Sequence, residues 1–349
     1  MDKMIHKAVE WLRGVGPMSD IVISSRIRLA RNVAGFPFLS KATSDQRNEL
    51  TTLLRSNIDG AATGGAWTYV DMEQISELDR QLLVERHLVS KQHAEANGSR
   101  GASVSRNERV SVMVNEEDHL RIQVIRSGLQ LADIWEEINE IDDRLEDHID
   151  YAFHPRYGYL TACPTNVGTG IRVSVMLHLP GLKLTGEIER VFRAAKDMRL
   201  AVRGFFGEGT EATGDLFQIS NQTTLGRTEE EVIDDFSQLV MPKIIEYEHH
   251  ARRALVNEKT LALDDKIWRS YGALKHARTI SSDETMLHLS HLRMGVHLER
   301  IREIDLQTIN DLFLLTQPAH LQKMVGARLN GEQRSTARAD CIRRRLEGK

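Results

Sequence analysis

The sequence predicts an α+β chain of two domains, with strands and helices mixed up to about residue 255 and helices alone after it. Three observations carry this. Apolar and polar residues alternate over 21–32, 109–114 and 119–125, the period-two pattern of half-buried strands. Leu131, Ile134, Ile138, Ile141, Leu145 and Ile149 recur at three- and four-residue steps, which predicts a long amphipathic helix over 129–149. From about Asp264 the pattern is helical throughout, over 264–277, 283–301, 308–315 and 332–346. A chain of 349 residues can hold two cores, so 1–255 is assigned to one domain and 256–349 to a second.

Composition narrows the class. Charged residues make up 28% and hydrophobic ones 41%, ordinary for a soluble globular protein. A net charge of −4 gives no bulk electrostatic reason to expect a nucleic-acid partner. No run approaches the roughly 18 apolar residues of a membrane helix. The first sixteen residues, MDKMIHKAVEWLRGVG, read as a short amphipathic helix without the apolar region of a signal peptide. Cys163 and Cys341 lie far apart, against a disulfide framework or a zinc site and in keeping with a reducing, cytoplasmic setting.

Taken in order, the strand over 21–32 places Arg26 and Arg28 on one face. Two such cations repel unless an anion lies between them; a solvated edge strand is the plainer reading. Ser44-Asp45 opens a helix, 60–65 is a flexible turn, 67–72 a strand and 76–87 a helix. The polar stretch 92–106, with Gly98, Ser99 and Gly101, predicts a mobile loop. SVMVNEEDHLR, 111–121, is a strand that feeds into Glu116, Glu117 and Asp118. Acids this close need a cation to face: a metal, a substrate guanidinium or a ring of arginines.

YLTACPTNVGTGIR, 159–172, is a strand, a proline, two glycines and Arg172; its amides suit an anion. VSVMLHL after it is a strand or a helix start. Neither the phosphate loop of nucleotide-hydrolysing P-loop enzymes nor the signatures of ordinary protein kinases occur. Cys163 is either a small buried hydrophobe or, beside arginines, a thiolate. A helix over 184–200 and a strand over 200–203 lead to RGFFGEGTEATG, 203–214, a glycine-rich hinge or lid over a ligand. A strand over 216–220 precedes a helix over 228–256 that breaks at Pro242. His288, His291 and His297 share a helix, but a metal would also want acids or cysteines facing them. Arg334 and Arg338 share a face of the last helix.

SSRIRLAR, VNEEDHLR, CPTNVGTGIR, RGFFGEGTE and QISN stand in the order found in the phosphagen (guanidino) kinases, which the chain resembles over residues 24–221. Small-molecule members carry a helical domain ahead of the first motif, where only 23 residues stand here. The helical part after the catalytic motifs, with LTQPAHLQ and RSTARA, is similar to the bacterial protein-arginine kinases. The resemblance implies a curved antiparallel sheet flanked by helices and transfer of the γ-phosphate of Mg-ATP to arginine side chains of proteins. By position, Arg26, Arg28, Arg121, Arg172 and Arg203 would clamp the phosphates. Ser24, Ser25, Ile27, His87, Val173, Ser174, Val175, Met176, Gly204, Phe205, Phe206, Gly207 and Glu208 would complete the nucleotide site. Glu117 and Glu208 would hold the guanidinium, Glu117 as base, with Glu116 near the metal or behind it and Cys163 alongside. Mg²⁺ would be held mainly through ATP, without a metal site of its own.

Small-molecule members have a His where Met176 stands and an Asp where Gln218 stands, which implies a different adenosine pocket and an untouched phosphate clamp. Arg334 and Arg338 would bind phosphoarginine, with Ser335 replacing an Asp of that motif. The resemblance further implies a stress-response role, a homodimer, protein substrates with exposed arginines, a zinc-finger activator protein and a Clp-type ATPase, with neither nucleic acid nor membrane as partner. A kinase of a small guanidino compound and a phosphoarginine-binding adaptor with an inactive kinase domain are the alternatives. The missing leading domain counts against the first and the intact arginine and glutamate sets against the second.

Physical chemistry agrees with this assignment. A phosphoryl group in transfer is a loose, metaphosphate-like anion that fixed arginines stabilise. A guanidinium stays protonated near neutral pH, so paired carboxylates must align it and accept its proton.

Overall fold

The computed structural model describes residues 2–5, 7–62, 65–204 and 213–348. Its centre is an eight-stranded sheet in which every neighbouring pair is antiparallel. In chain order the strands are β1 (Val22–Arg31), β2 (Thr68–Asp71), β3 (Gly101–Val104), β4 (Val110–Val114), β5 (Leu120–Ser127), β6 (Phe153–His154), β7 (Gly158–Tyr159), β8 (Ile171–His178), β9 (Leu200–Arg203) and β10 (Leu216–Asn221). The sheet order is β2-β3-β4-β5-β1-β8-β10-β9, while β6 and β7 form a small hairpin of their own.

Alternation decides which face of the sheet is which. On β1, Ile27 and Leu29 are fully buried in the main core, while Arg26 and Arg28 point to the other face. Val173, Val175 and Ile171 on β8, and Phe217 and Ile219 on β10, join the same core. Helix Leu131–Glu146 covers it with Leu131, Ile134, Ile138, Ile141 and Leu145, as its periodicity predicts. Helix Ser44–Ala61 packs there too, opened by a Thr43 capping box with Gln46.

Two expectations need correction. The stretch 92–106 is not a loop: it holds helix Lys91–Glu95 and strand β3, buried at every position. Glycine hid this strand. The Tyr69 ring lies directly over Gly101, so a side chain at this position would have to displace it. The N-terminal segment is not one helix; Asp2–Ile5 is helical and Glu10–Leu12 is a single 3-10 turn. Val9 and Trp11 are drawn into a second core, and that tertiary burial overrides helical periodicity. The run after Arg172 is wholly strand. Helix Pro318–Val325 was not expected; its proline sits in the first turn, where a missing N–H costs nothing. Pro242 likewise starts helix Met241–Glu258, directly after a π-helical turn over Asp235–Val240.

The C-terminal helices from Thr260–His276 onwards surround the second core. It is not theirs alone: Trp11, Leu12, Ile23, Ile125, Met176 and Leu216 belong to it. Polar ties reinforce the contact. Glu85, at the end of helix Glu77–Glu85, accepts from Ala319 N (2.7 Å), His320 N (2.9 Å) and His320 Nδ1 (2.7 Å). No helix among the described residues is long and apolar enough to cross a membrane.

Candidate active site

The far face of the sheet opens into a cavity of about 1050 Å³. Arg26, Arg28, His87, Glu116, Glu117, Arg121, Cys163, Arg172 and Arg203 all line it. Residues as far as 144 positions apart in sequence thus meet because β1 sits between β5 and β8: Ala30 pairs with Arg121, and Arg28 with Arg172.

The arginines crowd. Burial and the charges of Arg121, Arg172 and Arg203 lower the Arg26 pKa to about 10. Burial, then Arg26, Arg121 and Arg172, push Arg28 well below its ordinary value. Arg28 Nε has no hydrogen-bond partner among the described residues. A buried donor without an acceptor, inside a like-charged cluster, is the signature of a site built for a polyanion. Arg172 is oriented by Asn221 O (2.9 Å) and Asn166 Oδ1 (3.0 Å). His87 carries an unusual φ of +58° at the end of its helix and stands edge-on to Trp11, ring centroids 4.5 Å apart. Burial and the charges of Arg26 and Arg28 lower it to about 3, so it faces the cavity as a neutral imidazole.

At the acidic end, Arg121 donates Nη1 to Glu116 (2.7 Å) and Nη2 to Glu117 (3.3 Å). Glu116 is buried and further held by the Ser90 hydroxyl (2.5 Å) and by Glu117 N (2.8 Å). Glu117 is the more open of the two, its side chain 35% exposed against 1%. Burial raises its pKa, opposed by Arg121 and assisted by Asp118 and Glu116. Asp118, the third acid, is wholly buried; its Oδ1 accepts from Asn32 Nδ2 and Ala162 N, both at 2.7 Å. It pins the chain one residue before Cys163, whose half-buried Sγ lies 3.0 Å from Thr165 Oγ1.

The remaining expected residues divide. Ser24, Ser174 and Met176 line a small recess beside the cavity, together with Trp11, Arg26, His87 and Gln218. Ile27, Val173 and Val175 point into the core instead. The Ser25 hydroxyl donates to Gly128 O and accepts from Gln130 N. Gly204 is buried at the end of β9. Phe205, Phe206, Gly207 and Glu208 lie outside the described residues. Arg338 is buried, donating to Thr316 O (2.9 Å) and Ile280 O (3.0 Å), and Arg334 donates to Leu329 O. Neither lines the cavity. His288 and His291 both meet Ser270 Oγ, and no metal-binding group of three His, Cys, Asp or Glu occurs among the described residues.

The family model described as ATP:guanido phosphotransferase, C-terminal catalytic domain, matches residues 49–251, and that of the protein-arginine kinase McsB C-terminal domain matches 260–349. The chain belongs to the ATP:guanido phosphotransferases, among the protein-arginine kinases. It is 45% identical over 338 residues to a protein-arginine kinase of Halothermothrix orenii, covering 96% of each chain. It is 44% identical over 349 residues to one of Geobacillus thermodenitrificans, covering 99% of this chain and 96% of the relative. Among solved structures it is similar to the duplicated taurocyamine kinase of Schistosoma mansoni with transition-state analogue components (TM-score 0.62, 28% identity, 70% of this chain and 36% of that one). It is also similar to lombricine kinase (TM-score 0.58, 26% identity, 72% of this chain and 70% of that one).

Within this guanido phosphotransferase site one expectation fails. Gln218 does touch the expected phosphate clamp: its Oε1 accepts from Arg26 Nη2 at 2.6 Å. The register places it across from Met176 and one step diagonally from Ser174, the residue opposite Arg26.

Proposed function

We propose that this chain is an ATP-dependent kinase of arginine side chains in proteins. The observation that carries the reading is Arg121, which stands between the arginine cluster and the two glutamates and touches both carboxylates. A phosphate donor held by the arginines and a guanidinium held by the glutamates would therefore meet at one place. ATP bound there supplies the phosphoryl group, and Mg²⁺, which favours phosphate oxygens and water, travels with it.

The residues present fit that load. Arg26, Arg28, Arg172 and Arg203 offset charge on the transferring group without having to reorganise. Glu116, fixed on three sides, keeps Arg121 in place. Glu117 keeps a more open carboxylate, which would align the acceptor guanidinium and take its proton as the N–P bond forms and the bond from the γ-phosphorus to the ADP oxygen breaks, with ADP leaving. Asp118 and Asn32 hold the segment that presents Cys163 to the same end.

Family likeness supports the wider setting: marking of proteins for Clp-type proteolysis in a stress response, a zinc-finger activator protein, a homodimer, and phosphoarginine recognition by Arg334 and Arg338. The separated free cysteines, Cys163 and Cys341, support a cytoplasmic location.

The test is phosphate transfer from Mg-ATP to an unfolded, arginine-containing protein, with the product mapped by mass spectrometry. Acid-labile phosphate on arginine, lost in Glu117→Ala, is the expected result. Transfer to free arginine alone would replace this reading with a small-molecule kinase.

A further inference from the structure

Arg26 is held differently from most ion-paired arginines of this protein. Arg31 and Arg86 are buried against the carboxylates of Asp142 and Glu108. Arg121 is shared by Glu116 and Glu117. Arg26 is instead gripped by two neutral oxygens, Gln218 Oε1 at 2.6 Å on Nη2 and Ser174 Oγ at 3.3 Å on Nε. Both come from neighbouring strands whose register is fixed by the core on the opposite face. Gln218 is itself 4% exposed, between the buried Phe217 and Ile219. A carboxylate with the reach of this amide would bond Arg26 more strongly, yet it would cancel the charge a phosphate needs, and the phosphate would have to compete for it; the Asp of the small-molecule members is one methylene shorter and reaches less far. An amide oxygen orients the guanidinium and leaves its full charge directed at the cavity.

We propose that Gln218 is a positioning residue that aims Arg26 at the nucleotide's phosphates and, because it is neutral, preserves the charge of the clamp. This rests on the kinase reading above. It assigns Gln218 an action on the polyphosphate through Arg26, separate from any contact with the nucleoside. Met176, directly opposite on β8, has no polar atom able to bind Arg26 strongly, so the arginine has Gln218 as its acceptor on that side.

The experiment compares the full chain with Gln218→Glu, measuring Kd for ATP and for inorganic tripolyphosphate by calorimetry, and KM for ATP and for the arginine acceptor. Tripolyphosphate isolates the clamp from the nucleoside. The expected result is a loss of about tenfold or more for both ligands, the scale of a hydrogen bond to a charged group. KM for ATP rises in step and KM for the acceptor does not change. Gln218→Leu, which removes the amide oxygen and adds no charge, weakens both ligands by a smaller factor and serves if Gln218→Glu melts early. Unchanged Kd values in folded variants overturn the proposal. So does a loss for ATP with tripolyphosphate unaffected, which would place Gln218 at the nucleoside. If the unaltered chain binds neither ligand, the kinase reading itself fails and takes this one with it.

Discussion

Glu116 and Glu117 are neighbours in sequence and share one arginine, yet their surroundings divide the labour between them. Glu116 has its oxygens occupied; Glu117 has a more open carboxylate whose pKa burial raises. An acid shifted upward keeps its proton to a higher pH, so phosphate transfer should rise with pH through a range above the ordinary glutamate value, about 4.5. A pH profile of kcat/KM checks this; a midpoint at or below that value would remove Glu117 as base. Stability has the opposite slope at this residue. The unfolded chain releases the proton first as pH rises, so Glu117 favours folding in acid and disfavours it above both values. The acids and arginines were legible in the sequence because their motifs are short and dense. Ser90, Asn166, Asn221 and the buried role of Asp118 were not: each acts through a partner brought by another element, and nothing local announces it.

The loop between β7 and β8 is anchored near its far end by a buried cation. Arg31, at the end of β1, pairs with Asp142 at 2.6 Å and donates to Thr169 O and Ala30 O, while Tyr159 covers its guanidinium at 3.6 Å. The charge is removed from water and fully committed. Asp142→Ala should cost about 3–5 kcal/mol, because it strands the arginine rather than merely deleting a contact. Urea denaturation measures it; a cost below about 1 kcal/mol would mean that water reaches Arg31. The same change should lower kcat, since Thr169 and the chain before Arg172 lose their anchor. Helices with a clear 3.6-residue period could be read from the sequence, as could strands with clear alternation. Strand β3, Gly-Ala-Ser-Val, could not: it is buried on both faces and carries small residues, so it shows neither period.

Over the whole molecule, burial lowers several histidines: His87 and His297 to about 3, His93 and His291 to about 4. The unfolded chain binds these protons near the ordinary value of 6.5 and the folded one does not. Stability should therefore be intact above that value and fall as pH drops from about 6.5 towards about 4. Thermal melts across this range test it; a flat Tm down to pH 4.5 would mean that the histidines titrate in the folded state. The all-helical character of the C-terminal part was legible in its periodicity, but its grip on the rest was not, because Glu85 and His320 lie 235 positions apart and meet only in the fold. The second core has a practical consequence for protein engineering. The helices after residue 260 share it with Val9, Trp11 and Leu12 from the opposite end of the chain. A chimaera that takes its C-terminal module from a relative at the apparent joint would graft half of an interface. Exchanged with the first dozen residues as a set, the module would keep the partners from that end of the chain, and only Ile23, Ile125, Met176 and Leu216 on the sheet would still need matching.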